Sequence, residues 1–188
     1  KSKGQLKAPY KIADEVIKQL ANQKLFKQLY EPGEKEVIVT GEIGGFPWKG
    51  KIDSLRKMHG FFCDLKTTRD IHQKIWNDQT RQKENFVEAY GYYYQMAVYI
   101  ELIRQTFDID CLPFIFAVSK QTPPDVEALD FVSDESQELL DLAMQDILDK
   151  QPRIWKLIKG EEKPKRCEQC EYCRATKQLT KFVHADEL

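Results

Sequence analysis

The sequence lacks any apolar run long enough to cross a membrane, and it has no clear excess of either charge. No window approaches the ~18 apolar residues that a membrane-spanning helix needs, and the first residues, Lys-Ser-Lys-Gly-Gln, lack the apolar centre of a signal peptide. The 29 basic residues nearly balance the 30 acidic ones, for a formal charge of -1. We therefore expect a cytoplasmic protein with no membrane partner, and the charge balance gives no global electrostatic argument for nucleic-acid binding.

Internal repeats and low-complexity linkers are absent too, so nothing in the sequence divides it into several domains. With 188 residues and 41% apolar content, the chain suits one core, since single domains commonly have ~100 to 200 residues. We predict one domain over residues 1–160 and a basic, cysteine-rich tail over residues 161–188 that packs on the same domain.

Apolar periodicity predicts an α/β (α+β) chain, with helices before, between and after the strands. The predicted helices cover Ile12–Leu20, Leu25–Leu29, much of 71–106 with a start at Glu84 or Asn85, and 134–158 with a break or kink at Pro152. The predicted strands cover 36–43, 46–53, 61–66, 112–119 and 126–132. Because Gly44-Gly45 and the 57–60 segment are turn-like, the first three strands should be antiparallel.

Two short motifs carry the predicted chemistry. One strand ends in Asp53, and the next apolar strand ends in Asp64-Leu65-Lys66. Side chains two apart on a strand share a face, so Asp64 and Lys66 should point the same way, and the neighbouring strand can bring Asp53 beside them. Two carboxylates and the Leu65 backbone oxygen suit Mg²⁺ or Mn²⁺ for phosphodiester hydrolysis, while Lys66 would position the attacking water and offset negative charge. The alternative is a turn aspartate beside an ordinary exposed ion pair.

A third motif lies in the aromatic helix that follows. Gln95 and Tyr99 are four residues apart and share a helical face, with Tyr92 one turn earlier. An amide and a phenol can bond water, a phosphate or a base edge. The alternative is a helix buried against the sheet, but a buried glutamine would still need a polar partner.

These motifs resemble the PD-(D/E)xK nuclease superfamily, in particular its RecB-like exonucleases and the phage and prophage family related to RecE, exodeoxyribonuclease VIII. The matching segments are Gly50-Lys51-Ile52-Asp53, Asp64-Leu65-Lys66-Thr67-Thr68 and Gln95-Met96-Ala97-Val98-Tyr99. The resemblance implies a restriction-endonuclease-like core, with a central mixed β-sheet flanked by helices, and Mg²⁺- or Mn²⁺-dependent hydrolysis of DNA from duplex ends. It also implies a homo-oligomer that works with a single-strand annealing protein in recombination.

The chain departs from this family in its first motif. RecB-like relatives usually place a histidine or glutamate on an early helix as a further metal ligand, whereas this chain has no histidine before His59. Glu15, Glu36 and Glu42 are the candidates. Because the sequence begins without methionine, we also expect that the natural chain extends upstream and that this ligand can lie there.

The cysteines form a separate group near the C-terminus, Cys167-x-x-Cys170-x-x-Cys173. In a reducing compartment, three close thiols favour a shared metal over disulfides. Zn²⁺ or a 4Fe-4S cluster would need a fourth ligand, for which Cys63, Cys111, a histidine or an upstream cysteine are candidates. The alternative is three reduced surface cysteines.

Two hypotheses from different classes follow. The first is a metal-dependent exonuclease that acts on linear double-stranded DNA in phage or prophage recombination. The second is a non-catalytic DNA-binding or assembly module with a zinc-binding tail, in which the acidic pair has lost its role. The paired aspartates, the lysine and the Gln-x-x-x-Tyr motif together favour the first.

Overall fold

The computed structural model describes residues 8–78 and 80–187. Its helices and strands, in chain order, are α1 (Ala8–Ala21), α2 (Lys24–Leu29), β1 (Glu34–Ile43), β2 (Phe46–Arg56), β3 (Phe61–Thr68), β4 (Ile75–Asn77), β5 (Gln82–Glu84), α3 (Phe86–Ala89), α4 (Tyr92–Phe107), β6 (Leu112–Ser119), β7 (Val126–Asp130), α5 (Asp134–Ile158) and α6 (Glu171–Ala175). A single 3₁₀ turn joins β2 to β3. Within the described ranges, no helix is both long and apolar enough to pass through a bilayer.

Five strands form one mixed sheet in the order β1-β2-β3-β6-β7. β1, β2 and β3 are successive antiparallel neighbours, as the sequence predicted, β6 joins β3 in parallel, and β7 is antiparallel to β6. The parallel pair needs a long crossover, which the segment containing α3 and α4 supplies. The predicted mixed sheet flanked by helices is confirmed.

Helices cover both faces of the central strands. On one face, α1 and α2 bury Leu20 and Phe26 against Cys63 and Phe116. On the other face, residues of α4 and α5 pack in a larger cluster that includes Phe62 of β3. Burial on both faces explains why β6 is a continuous apolar run, and why β3 begins with three apolar residues before Asp64.

The segment between β3 and α3 corrects one prediction. The sequence suggested helical structure from about residue 71, but β4 and β5 form a two-stranded hairpin there. The Asn77 and Thr80 side chains both bond Glu84, and Arg81 has a left-handed backbone with φ of 55°. These side-chain bonds and the left-handed residue form the turn of the hairpin, and the spacing of apolar residues gives no information about them. Helical structure begins only after Asn85, which caps the N-terminus of α3.

The chain divides into two compact units, residues 1–149 and 150–188. The first unit contains the sheet. The second contains α6 and the three clustered cysteines. The division falls within α5, which continues past Pro152, so the predicted interruption at that proline is wrong, while the alternative of a kink stays a prediction. The predicted domain boundary at residue 160, and the packing of the tail on the domain, stay predictions.

Candidate active site

The candidate site lies at a fork in the sheet, where β2 and β3 separate. These strands pair over only three positions, and the last pair is Ser54 opposite Cys63. Asp53 and Asp64 occupy the next position, just past the end of this ladder. β3 continues beyond the fork along β6 as far as Thr68, while β2 continues along β1. The fork therefore exposes the inner edge of two strands beside two carboxylates.

Asp53 replaces the hydrogen bond that the fork removes. Its Oδ2 accepts from the backbone N–H of Leu65 at 2.9 Å. This bond joins β2 to β3 just beyond their ladder and fixes one carboxylate oxygen of Asp53. The predicted role of the Leu65 backbone oxygen as a metal ligand stays a prediction.

Asp64 is the buried member of the pair, with only 2% of its surface exposed. Burial raises the pKa of Asp64, and the neighbouring charge of Asp53 raises it further, whereas the Lys66 ammonium opposes both. Its Oδ2 lies 2.5 Å from Nζ of Lys66 as an ion pair, yet no donor among the described residues meets that oxygen with hydrogen-bond geometry. A buried carboxylate oxygen left in this state suits a cation.

Lys66 is largely buried beside this carboxylate. Only 15% of its side chain is exposed. Besides its ion pair with Asp64, its ammonium lies 4.5 Å from the centre of the Tyr92 ring, whose π face attracts a cation. The ammonium is therefore held at the fork by Asp64 from β3 and Tyr92 from α4.

The Gln-x-x-x-Tyr motif joins α4 to both strands of the fork. The Gln95 amide donates to Oδ1 of Asp64 at 3.4 Å and to the Tyr99 hydroxyl at 3.0 Å. That hydroxyl donates to the backbone oxygen of Lys51 at 3.1 Å. The Gln95 amide of α4 therefore holds one oxygen of Asp64, and the other oxygen pairs with Lys66. Hydrogen bonds of this kind, made from behind, orient the residues that bind a ligand.

Gly50 makes room for this contact. A Cβ at residue 50 would lie 2.8 Å from Cε1 of Tyr99. We therefore expect Gly50→Ala to displace the Tyr99 ring and lower the free energy of unfolding by ~1–3 kcal/mol. It should also lower the rate of DNA hydrolysis, because Tyr99 bonds Gln95 and Gln95 bonds Asp64. Chemical denaturation and a nuclease assay, with Lys49→Ala as the exposed neighbouring control, measure both effects. Unchanged stability and unchanged rate would show that Tyr99 does not need the space.

The three candidates for a further acidic ligand lie in different places. Glu15 is exposed on α1. Glu42 lies six residues along β1 from Glu36, a distance of ~20 Å in a strand, and its backbone bonds Gln105. Of the three, Glu36 is nearest to Asp53 in the β1–β2 ladder, which skips both residues between the Lys35–Ser54 and Val37–Ile52 pairs. Its side chain pairs with Lys51, and its φ of 56° is uncommon for a residue other than glycine. The further ligand stays unassigned.

The cysteine group of the second unit is preorganised. The Sγ atoms of Cys167, Cys170 and Cys173 all lie within 4.8 Å of one another. Backbone N–H groups donate to two of the sulfurs, from Cys170 to Cys167 and from Cys173 to Cys170. The bond from the Cys170 N–H is the main cause that lowers the pKa of the Cys167 thiol to about 7.

No fourth ligand joins these thiols within the described part of the second unit. Two of the fourth-ligand candidates, Cys63 and Cys111, are instead core residues of the first unit. Burial raises the pKa of the Cys63 thiol to about 12 and that of the Cys111 thiol to about 11. Both therefore behave as small apolar residues in this structure.

Two residues beside the fork were not identified from the sequence. Ser54 follows Asp53 and is fully buried, with its hydroxyl donating to the backbone oxygen of Tyr30 at 2.6 Å. Tyr30 ends α2 and reaches the fork only through the fold. No local spacing marks Ser54, because its burial comes from tertiary contacts. β2 also continues to Arg56 and does not end at Asp53 as predicted.

The geometry defines a PD-(D/E)xK nuclease core: a mixed sheet flanked by helices, with an aspartate from one strand beside the Asp-x-Lys of the next. A family model, the PDDEXK-like domain of unknown function (DUF3799), matches residues 1–176. The chain therefore belongs to this PDDEXK-like family, and its membership of the PD-(D/E)xK superfamily agrees with the prediction from the sequence.

One solved structure agrees with this family. The crystal structure of a putative exonuclease from Eubacterium rectale has a TM-score of 0.84 and 35% sequence identity, over 100% of this chain and 68% of that chain. A structure of SSO0001 has a TM-score of 0.39 and 17% identity, over 84% of this chain and 64% of that chain, which is too remote to support an argument. A comparison with curated proteins found no match. The family and the exonuclease relative support nuclease activity.

Proposed function

We propose that this protein is a Mg²⁺- or Mn²⁺-dependent deoxyribonuclease that shortens linear duplex DNA from its ends. The observation that supports the proposal most directly is the buried Asp64 carboxylate at the strand fork, whose Oδ2 accepts no hydrogen bond of normal geometry from the described residues and lies 2.5 Å from the Lys66 ammonium. The superfamily supports the reaction class. The similarity to a putative exonuclease supports an exonucleolytic mode.

The residues at the fork fit a divalent cation. Asp53 and Asp64, with the Leu65 backbone oxygen, would hold it, because Mg²⁺ and Mn²⁺ favour oxygen ligands. When bound, the cation supplies Lewis-acid stabilisation of the negative charge that develops on the phosphate. Oδ2 of Asp64 would be the ligand oxygen, since Gln95 engages Oδ1, and a cation would compete there with the Lys66 ammonium that lies 2.5 Å from Oδ2.

The remaining site residues would orient the reactants. The Lys66 ammonium, held between Asp64 and Tyr92, orients the attacking water and offsets charge on the phosphate. Gln95 and Tyr99 act as positioning residues, because their hydrogen bonds join Asp64 to the backbone of β2. In this assignment, neither Gln95 nor Tyr99 contacts the phosphate directly.

The family resemblance supports a biological setting that we include in the proposal. The protein would process phage or prophage DNA in the bacterial cytoplasm before recombination. It would act as a homo-oligomer and pass the resulting single strand to a single-strand annealing protein.

A cleavage assay on linear and closed circular duplex DNA tests the function. Each DNA is incubated with the protein in Mg²⁺, in Mn²⁺ or in chelator. We expect progressive shortening of the linear form only, and only with a cation. Cleavage of closed circles would instead show an endonuclease. No cleavage of either form would favour the non-catalytic DNA-binding or assembly module.

We also propose that the three clustered cysteines bind one metal centre, Zn²⁺ or a 4Fe-4S cluster, that stabilises the second unit. Three thiols within 4.8 Å, two of which accept backbone N–H bonds, support it. Such a centre would contribute to folding of this unit, because metal binding and folding are coupled in small metal-binding segments.

Cys170→Ser tests the cysteine centre with little change to the backbone. Cys170 caps α6 by accepting from the Cys173 N–H, and serine is a good cap that lacks the thiolate. We expect about one metal centre per chain in the anaerobically purified protein and its loss in Cys170→Ser. Metal analysis and the visible spectrum distinguish zinc from an iron–sulfur cluster. Cys111→Ala, outside the group, should keep the metal, and equal metal content in all three proteins would contradict the proposal.

A further inference from the structure

Tyr90 presents an exposed aromatic ring two contacts away from Lys66. The Lys66 ammonium lies 4.5 Å from the centre of the Tyr92 ring, and the centres of the Tyr92 and Tyr90 rings are 6.0 Å apart. These contacts lie on the face of the sheet that α4 covers, where Asp64 meets Gln95. Tyr92 is half-buried, whereas Tyr90 is 57% exposed. The side chains at the fork therefore lead directly to a ring that faces solvent.

The backbone around Tyr90 is fixed, which limits where its ring can lie. The Tyr90 N–H donates to the Phe86 backbone oxygen at 3.1 Å, and the Gly91 N–H donates to the Glu88 backbone oxygen at 2.9 Å. Gly91 joins α3 to α4 with a left-handed backbone, at a φ of 67° that favours glycine. This turn sets the rings of Tyr90 and Tyr92 beside each other at the start of α4.

Neighbouring tyrosines have partners within the protein, but most of the Tyr90 ring does not. Tyr93 packs edge-to-face on Phe131 with 5.3 Å between the ring centres, and the Tyr99 hydroxyl bonds the backbone of β2. Among the rings of the described residues, that of Tyr90 contacts only the Tyr92 ring, and its hydroxyl forms no hydrogen bond with those residues. Most of the Tyr90 ring is thus available to a ligand.

A nucleobase is the ligand that suits an exposed tyrosine ring at this place. Successive nucleotides of one strand lie ~3.4 Å apart along duplex DNA, so a ring this close to Lys66 is within reach of the nucleotides next to a phosphate at the fork. Every base has a π face, and stacking on an aromatic ring tolerates any sequence. Inside a duplex both faces of a base are covered by its neighbours, whereas the last base of a strand leaves one face open. The Tyr90 ring therefore fits the base at a DNA end.

We propose that Tyr90 is a substrate-binding residue that stacks on the terminal base of the DNA strand whose phosphate occupies the Asp53–Asp64 fork. This inference rests on the proposed function, since it assumes that a phosphodiester lies at the fork. It assigns a base-binding position on the α3–α4 turn to a site whose other residues serve the cation and the phosphate. Because stacking needs an open base face, this position favours DNA with an end over closed circles.

Substitutions of Tyr90 test the stack. Tyr90→Leu removes the π face, Tyr90→Phe keeps it, and Tyr10→Leu changes an exposed tyrosine of α1 as the matched control. Equilibrium binding of a short blunt duplex in Ca²⁺, where hydrolysis is not required, compares these variants with the unmodified protein. We expect Tyr90→Leu to weaken binding about 10-fold, the size of one base–aromatic stack, and Tyr90→Phe to bind like the unmodified protein. All four melting temperatures should agree.

Duplexes that lack a terminal base isolate the contact. One duplex lacks the base at its 5′ ends, and another lacks the base at its 3′ ends. One of the two should bind the unmodified protein about 10-fold more weakly than the intact duplex does. The same base removal should not weaken binding to Tyr90→Leu, because both changes remove one shared contact. The strand end that shows this coupling is the end that occupies the fork.

Three results would each overturn the proposal. In the first, Tyr90→Leu binds DNA as tightly as Tyr10→Leu. In the second, Tyr90→Phe binds as weakly as Tyr90→Leu, since the hydroxyl would then be the binding group. In the third, removal of either terminal base affects Tyr90→Leu as much as the unmodified protein, which would show that any loss of binding comes from a change in the fold.

The cleavage assay separates this proposal from the proposed function. If the unmodified protein binds DNA and shows the coupling but does not cleave DNA in Mg²⁺ or Mn²⁺, the nuclease function fails and Tyr90 is a base-binding residue of a DNA-binding module. If it cleaves linear DNA without the coupling, the nuclease function holds and the role of Tyr90 fails. A protein that binds no duplex in Ca²⁺ would also overturn the role of Tyr90.

Discussion

Asp64→Asn is expected to lower the rate of DNA hydrolysis on the order of 10³-fold or more. The amide fills the same space but removes the charged oxygen that the Lys66 ammonium meets at the fork. Loss of metal-assisted stabilisation worth several kcal/mol corresponds to a factor of that size, since ~4 kcal/mol is about 10³-fold in rate. Initial rates on linear duplex in Mg²⁺ measure it, with Asp110→Asn as an exposed control.

The same variant should remain folded, which separates chemistry from structure. Burial is the largest influence on the pKa of Asp64, and it raises that pKa. A carboxyl whose folded-state pKa is raised destabilises the fold at pH values above that pKa, where it must be ionised while buried. The neutral amide removes this cost but also removes the ion-pair partner of Lys66, so the two effects oppose each other and the melting temperature without metal should change little. Added Mn²⁺ should raise the melting temperature of the unmodified protein only. Near-normal cleavage by Asp64→Asn would exclude Asp64 from the reaction.

Strong periodicity made the central sheet predictable. β6 is a continuous apolar run, β3 begins with three apolar residues, and Gly44-Gly45 forms the tight turn between β1 and β2. Each of these signals comes from residues close together in the chain, where local preference and final burial agree. The hairpin of β4 and β5 was missed because its strands have three residues each and depend on side-chain bonds within the turn.

The part of the candidate site that comes from β2 and β3 was predictable. The order of Asp53, Asp64 and Lys66 along neighbouring strands implied that they meet, and the structure brings them together at the fork. The direction of Gln95 and Tyr99 was not predictable, because both orientations of an aromatic helix satisfy the same spacing. In the structure they face Asp64 and the backbone of β2 and so lie behind the carboxylates.

Tyr30 shows the limit of a motif-based prediction. It lies more than 20 positions before Asp53 in the sequence, with no motif of its own. Its place at the fork comes from tertiary contacts, the aromatic stack on Phe26 and the bond from Ser54. Such contacts join residues that no local spacing relates, so only the folded chain brings them into view.

Lys66→Met is expected to lower hydrolysis about 10² to 10³-fold, the range found when a group that stabilises transition-state charge is removed. Methionine keeps the length of the side chain and can pack against the Tyr92 ring, so the fold should persist. In contrast to Asp64→Asn, it should keep or strengthen cation binding. The ammonium lies 2.5 Å from Oδ2 of Asp64 and competes with a cation for that oxygen.

Paired measurements on the two variants test this contrast. Mn²⁺ affinity, measured by calorimetry, should be lost in Asp64→Asn and equal or higher in Lys66→Met, while both hydrolyse DNA poorly. Lys120→Met, which changes an exposed lysine just past the end of β6, should match the unmodified protein in both measurements. If Lys66→Met loses Mn²⁺ binding together with activity, Lys66 supports the geometry of Asp64 and has no separate role in hydrolysis. If it cleaves DNA normally, its ion pair with Asp64 is structural.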